Sequence, residues 1–409
     1  MDSVVARTVA VPVSTAADLV ALLPADSPVS WVRRGEGLVG WGVAARVRTT
    51  GPTRFADAAK WWSELVARAT VTDEVGEPGT GLVSFGSFAF ADEPGDSVLV
   101  LPSVVVGRRG EAAWVTTIGG ASAEGAVEPV QPLGEVAFAD GALDSAQWMG
   151  VVAEAVRRIN AGDLEKVVLA RDVIAVADRT VDVRGPLARL ASAYPMCWTF
   201  HVDGLFGATP ELYVRRERGL VTSRVLAGTL PAAMGASTGD DEHDLTLAAT
   251  LARSSKDLEE HEYAVRSVAD ALEPHCSSMN VPEAPYVLHL PNVVHLATDV
   301  TGVVRDGITS LELAAALHPS AAVGGTPREA AVALIAELEG MSRDRYAAPV
   351  GWMDATGDGE WGIALRSALA EGDTVRLFAG CGVVGSSDPE AELAESNAKL
   401  IPVRDALGG

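Results

Sequence analysis

The sequence predicts an α+β fold, and two features of its 409 residues point there. Short apolar or alternating runs, bounded by Gly, Pro and Asp clusters, are grouped in blocks as antiparallel strands are. Helical periodicity also comes in blocks, without the one-for-one alternation that a doubly wound parallel sheet requires. The architecture expected is large, mostly antiparallel sheets with helices packed outside.

Residues 1–142 read as a β-rich N-terminal subdomain and residues 143–409 as a second region that holds the chemistry. In the first, Trp31-Val32, Leu38–Val47, Leu82–Phe90, Ser97–Val106 and Ala113–Ile118 are strand-like. Arg54–Ala69 is helical, with Trp61, Leu65 and Val66 on one face. Gly119–Pro132 is a polar loop or linker. A helix capped by Asp144 or Ser145 runs to about Ala161, with Gly162 as its stop. Lys166–Val176 is a strand, Val183–Tyr194 a short helix, and two or three strands follow through Arg224. Asp240–Ala252 and Ser255–Leu272 read as helices, Tyr286–Leu290 and His295–Val304 as extended. Ser310–Leu317 and Arg328–Leu338 are helical, Arg343–Gly385 reads as hairpins turning at Thr356–Gly359, and Glu390–Leu407 closes the chain as a helix.

Apolar residues make up 48% and charged residues 21%, the balance of a soluble globular protein. No run of 18 uninterrupted apolar residues occurs, and Met1–Arg7 lacks the basic-then-apolar layout of a signal peptide. Cys197, Cys276 and Cys381 have no metal spacing and are odd in number, which fits reduced thiols in a cytoplasmic protein. The net charge of −23 argues against nucleic acid and anionic membranes as partners. An anionic substrate would need a bound divalent cation and a few placed Arg or Lys residues to reverse the sign locally. Most of the acidic excess reads simply as a solvated surface.

Several ionisable residues lie in or beside apolar runs, where charge is costly unless paired, hydrogen-bonded or metal-bound. Lys166 opens an apolar strand; it reads as a desolvated amine base or as an edge lysine reaching to water. Glu211 follows Pro210 before Leu212-Tyr213-Val214 and reads as a general acid in an apolar site or as a solvated turn residue. Glu260 lies in an acidic helix; Glu392, Glu395 and Lys399 share one face of the last helix. Carboxylates from two helices suit Mg²⁺, which keeps several waters, although each helix alone reads as a surface charge run. Arg366 interrupts the apolar strand Trp361–Leu369 and needs an anion, either a substrate carboxylate or a structural partner. His295 and His318, in apolar context, read more readily as satisfied core histidines.

In combination these segments resemble the chorismate-utilising enzymes: isochorismate synthase, salicylate synthase, anthranilate synthase component I and aminodeoxychorismate synthase. The resemblance spans about residues 143–405. It rests on Lys166-Val-Val-Leu-Ala-Arg171, Gly207-Ala-Thr-Pro-Glu211, Leu226-Ala-Gly-Thr229, Ser255–His261, His295-Leu-Ala-Thr298, Leu317-His-Pro-Ser320, Gly325-Thr-Pro327, Ala379–Val384 and Glu395-Ser-Asn-Ala-Lys399. Within that family a Lys at the position of Lys166 goes with water as the nucleophile. Ala322 resembles isochorismate synthases, whereas salicylate synthases tend to carry Thr there.

The resemblance implies a Mg²⁺-dependent isomerisation of chorismate to isochorismate, feeding menaquinone or siderophore synthesis, by a monomer or weak homodimer. Glu260 and Glu395, with Glu392 in support, would hold Mg²⁺ against the ring carboxylate. Lys166 would activate water for attack at C2 and Glu211 would protonate the hydroxyl leaving C4. Arg366 and Tyr346 would hold the enolpyruvyl carboxylate; Gly228, Thr229, His295, Gly380, Gly382 and Lys399 complete the expected substrate contacts. The alternatives are a salicylate synthase that goes on to eliminate pyruvate, and a non-catalytic chorismate-binding protein. The acid–base pair demands opposed shifts, the amine made easier to deprotonate and the acid harder, and one apolar pocket favours both. Two departures stand out. Thr209 replaces a common Ser, and Ala348 occupies a place where a Gly is usual, so its backbone is expected to be strained if φ is positive.

Overall fold

The computed structural model describes residues 4–93, 95–123, 128–231, 255–290 and 293–408; for 227–231, 255–257, 259–260, 289–290 and 293–295 it describes the backbone alone. The helix expected over Asp240–Ala252 lies outside these residues.

Two large sheets dominate. The first runs, in spatial order, Val136–Asp140, Lys166–Ala177, Thr374–Val383, Ser367–Glu371, Leu205–Thr209, Trp198–Val202, Val29–Arg33, Glu36–Trp41, Val104–Arg109, Ala112–Ile118, Val5–Ala10 and Thr70–Asp73. The second runs Cys276–Asn280, Val293–Val304, Leu220–Pro231, Leu212–Glu217, Gly359–Ile363, Pro349–Asp354, Val83–Ser87, Ser97–Leu101 and Ala45–Thr49. Neighbouring strands are antiparallel except Val5–Ala10 with Thr70–Asp73. Strands from before and after residue 142 are hydrogen-bonded in both sheets: Trp31 lies opposite Phe200 in one, Phe85 opposite Trp352 in the other.

The strands facing between the sheets are nearly continuous apolar runs. Trp31, Phe85, Phe200 and Trp352 are buried together in one core cluster, so large rings fill the inter-sheet layer and remove wide apolar areas from water. Helices cover the outer faces. Ser145–Asn160 starts at a capping box in which Asp144 accepts from Gln147 N while Gln147 reaches back to Asp144 N. It buries Trp148, Val152 and Ala155, and Trp148 Nε1 donates to Ala170 O at 3.2 Å. The closing helix, Pro389–Leu407, packs on the Thr374–Val383 strand through Leu400, Val403 and Ala406. His318 is a core histidine, as expected, but only half satisfied: burial lowers its pKa to about 3, Nε2 bonds to Phe90 O at 2.9 Å, and Nδ1 is buried without a partner.

The structure corrects several expectations, Ser97–Val106 among them: Ser97–Leu101 lies in the second sheet and Val104–Arg109 in the first. Leu38–Val47 is not one strand: Glu36–Trp41 ends in the first sheet and Ala45–Thr49 begins in the second. Trp361–Leu369 is likewise split, Gly359–Ile363 belonging to the second sheet and Ser367–Glu371 to the first. Arg366 therefore sits at a crossing between sheets, with φ +49°, and not inside a strand. The positive φ near Tyr346 falls on Ala347, at +59°, and not on Ala348. Ala347 N donates to Ala364 O, and Ala364 N to Ala348 O, so this left-handed residue is held by the crossing itself.

Candidate active site

Four segments meet where the sheets cross. The Lys166–Ala177 strand lies against Thr374–Val383, with Val168 opposite Gly382 and Ala170 opposite Gly380. Gly380 is buried and Gly382 half-buried. On its other edge the Lys166 strand meets the two-residue strand Gly325–Thr326, pairing Lys166 with Thr326 and Val167 with Gly325. A Cβ on Gly325 would lie 2.2 Å from Lys166 O, so the motif Gly325-Thr-Pro327 needs glycine for this close approach. Lys166 is half-buried and borders a cavity of about 640 Å³ with Leu164, Ala264, Ala321 and Val384 among its walls.

Glu211 closes the Gly207-Ala-Thr-Pro-Glu motif, and Pro210 and Glu211 link the Leu205–Thr209 and Leu212–Glu217 strands, which belong to different sheets. It is only 8% exposed, and its N–H donates to Thr209 Oγ1 at 3.3 Å. Gly207 makes room for the crossing: a Cβ there would lie 2.6 Å from Arg366 O. Burial raises the Glu211 carboxyl to about 7, with the charges of Arg366, Lys166 and Lys399 pulling the other way without prevailing. Glu211 thus feels three of the expected cations at once. Arg366 also acts on Tyr346, whose hydroxyl burial pushes up to about 12. Tyr346 is buried and stacks on Phe378 with ring centroids 5.1 Å apart.

A second group lies on the closing helix. Sγ of Cys381 and carboxylate oxygens of Glu392 and Glu395 fall within 4.8 Å of one another. Burial raises the Glu392 carboxyl, and the charge of Glu395 adds to it. Glu392 Oε2 is buried without a hydrogen-bond partner. Lys399 Nζ pairs with Glu395 at 2.5 Å and donates to Gly380 O at 2.9 Å. Two neighbouring carboxylates, one with an orphaned buried oxygen, fit a hard divalent cation, with the thiol as the poorer ligand for it. Arg171 Nη1 donates to Ser396 Oγ at 3.3 Å and Asn397 Oδ1 at 2.9 Å, tying this helix to the Lys166 strand.

Of the remaining expected residues, Thr229 lies opposite His295 on paired strands, with a register shift at Gly228 between Ala227 and Thr229. The side chains of Thr229, His295 and Glu260 lie outside the described residues. A wider cavity, about 1510 Å³ between the Arg54–Val66 and Arg328–Leu338 helices, is lined by none of the expected site residues. Among the described residues no helix is long and apolar enough to cross a membrane.

A buried carboxyl whose proton affinity burial raises, acted on by the charges of Arg366, Lys166 and Lys399 at the crossing of two mostly antiparallel sheets, suits acid–base chemistry on a small anion. The family model described as chorismate binding enzyme matches residues 28–132 and 124–408, and the chain belongs to that family. The isochorismate synthase MenF of Bacillus subtilis (strain 168) is 30% identical over 407 residues, covering 91% of this chain and 85% of the relative. The salicylate biosynthesis isochorismate synthase of Pseudomonas aeruginosa is 34% identical over 408 residues, covering 92% and 84%. The solved structure of MenF, the menaquinone-specific isochorismate synthase of Escherichia coli, superposes with a TM-score of 0.82 at 24% identity, over 99% of this chain and 95% of that one. At that identity the likeness is one of fold.

Proposed function

We propose that this protein converts chorismate to isochorismate, and that residues 143–409 carry the chemistry. The observation that carries the reading is Glu211: a buried carboxyl, about half protonated near neutrality, within reach of the charges of Lys166, Arg366 and Lys399. The acid–base assignment follows. Lys166 takes a proton from the water that bonds to C2. The ring double bonds shift, and protonated Glu211 gives its proton to the hydroxyl leaving C4 as water. Solvent exchange then restores both groups. Arg366 and Tyr346 bind the enolpyruvyl carboxylate, the guanidinium bidentately and the phenol as a donor that stays protonated. The backbone at Gly228, Thr229, Gly380 and Gly382, with His295 and Lys399, orients the ring.

Glu392 and Glu395, with Glu260 from the Ser255–Leu272 helix, are the residues that would hold Mg²⁺. When bound, the ion neutralises the ring carboxylate, which a protein of net charge −23 would otherwise repel. The reading places the reaction in the cytoplasm, in a monomer or weak homodimer, with product passing to menaquinone or siderophore synthesis. The test is product analysis after incubating the pure protein with chorismate and Mg²⁺. Isochorismate is expected, lost with EDTA and restored by Mg²⁺. Salicylate or, with ammonia, anthranilate as the sole product would overturn the assignment.

A further inference from the structure

One buried ion pair near the site has no part in the chemistry proposed above. Glu339 and Arg343, four residues apart, are 1% and 4% exposed. Glu339 Oε1 accepts from Ala170 N at 2.7 Å, and Arg343 Nε donates to Glu339 Oε2 at 2.9 Å. Arg343 Nη2 donates to Val168 O at 2.6 Å and Nη1 to Val323 O at 2.8 Å. The place they occupy is a gap in the sheet. On this edge the Lys166 strand is paired at residues 166 and 167 by Gly325–Thr326, and again from Val173 by Val136–Asp140. Between those stretches the side-chain fork and the carboxylate replace the missing strand, taking up the backbone groups of Val168 and Ala170. Through Val323 the same guanidinium grips the segment that leads into Gly325–Thr326. Both halves of the short ladder that begins at Lys166 are therefore fastened to one charged pair.

We propose that Glu339 and Arg343 are positioning residues for Lys166, an inference that rests on the proposed role of Lys166 as base. A buried pair is a poor source of net stability compared with apolar packing. A guanidinium does, however, fix two carbonyls and a carboxylate in one plane, which an ammonium does not. Lys166 acts on the reacting water through its own amine, so a shift of its strand falls on proton removal before it reaches the Gly380 and Gly382 contacts of the paired strand.

The variants are Arg343→Lys and Glu339→Gln, which keep size and most hydrogen bonds and remove the fork or the charge; if one fails to fold, the other carries the test. Arg184→Lys is the control, a buried arginine that pairs with Asp182 at 2.6 Å and donates to Glu128 O at 2.9 Å, outside the site. Thermal unfolding, kcat and KM for chorismate, and hydrogen–deuterium exchange over residues 166–171 are measured for each. Both test variants should lose about 10- to 100-fold in kcat with KM held within about threefold, and exchange over 166–171 should rise. Arg184→Lys should lose comparable thermal stability with neither change. A kcat within about twofold of the parent in both variants, or exchange over 166–171 that does not rise, overturns the proposal. A parent protein that does not turn chorismate over sinks the reaction instead, and the exchange measurement alone then decides the clamp.

Discussion

Replacing Glu211 by Gln tests the site through stability as well as rate. The carboxyl is raised from its usual 4.5 to about 7, chiefly by burial. Between those values the folded protein keeps a proton that the unfolded chain has released. The folded state therefore binds more protons, and stability falls as pH rises through this window. Each pH unit costs about 1.4 kcal/mol, so the wild type loses about 1 kcal/mol by pH 5 and about 3 kcal/mol by pH 8. Glutamine mimics the protonated acid at every pH and avoids the loss. With an unfolding entropy of about 2.1 cal/mol/K per residue, a chain of 409 residues gives about 0.9 kcal/mol/K. Glu211→Gln should thus melt about 4 °C above the parent at pH 8 and about 1 °C above it at pH 5. The assay is scanning calorimetry in metal-free buffer at the two pH values. The same variant should lose about 10²- to 10⁴-fold in turnover, the range for a general acid. A melting gap independent of pH, or a variant less stable than its parent at pH 8, would show an ionised Glu211 paired to its cations and refute the reasoning.

Three further outcomes follow from the same geometry. Lys166→Ala should abolish turnover of chorismate while melting within a few degrees of the parent, since the side chain opens the strand and is only half-buried; measurable turnover near the parent's rate removes Lys166 as base. Activity should fall on the alkaline side as Glu211 ionises near pH 7, with unit slope in log kcat/KM; a flat profile to pH 9 contradicts the acid assignment. Gly207→Ala drives a Cβ to 2.6 Å from Arg366 O. It should cost about 1–3 kcal/mol in unfolding and raise KM as the crossing that carries Arg366 shifts; an unchanged KM would separate Arg366 from substrate binding.

The sequence marks Lys166 and Glu211 as candidates for physical reasons. A lysine at the head of the apolar run Val167–Ala170 and a glutamate after proline at a strand start are both costly placements, and the fold lets the charge of one act on the other. The crossing at Arg366 was not legible. Trp361–Leu369 is apolar on both sides of the arginine, and a strand that changes sheets has the same composition as one that continues. Nor does the sequence say which of Ala347 and Ala348 turns left-handed, because neither alanine favours that region; the hydrogen bonds to Ala364 select Ala347. Glu339 and Arg343 show the same limit. Lying just past the Arg328–Leu338 helix, they carry nothing in the sequence that sets them apart from solvated charges. Their partners, Val168 and Ala170, lie far away in sequence and offer only backbone atoms, which leave no side-chain signal. Cys381 was read as an ordinary thiol, and only the packing of the last helix brings its sulfur beside Glu392 and Glu395.

The central claim is that water adds at C2 while the C4 hydroxyl departs. Incubating the pure protein with chorismate and Mg²⁺ in ¹⁸O-water and analysing the product by mass spectrometry tests it directly. Isochorismate carrying a single ¹⁸O at the C2 hydroxyl is the predicted result. Unlabelled isochorismate, which would mean that the original hydroxyl had migrated within the molecule, would contradict the roles given to Lys166 and Glu211.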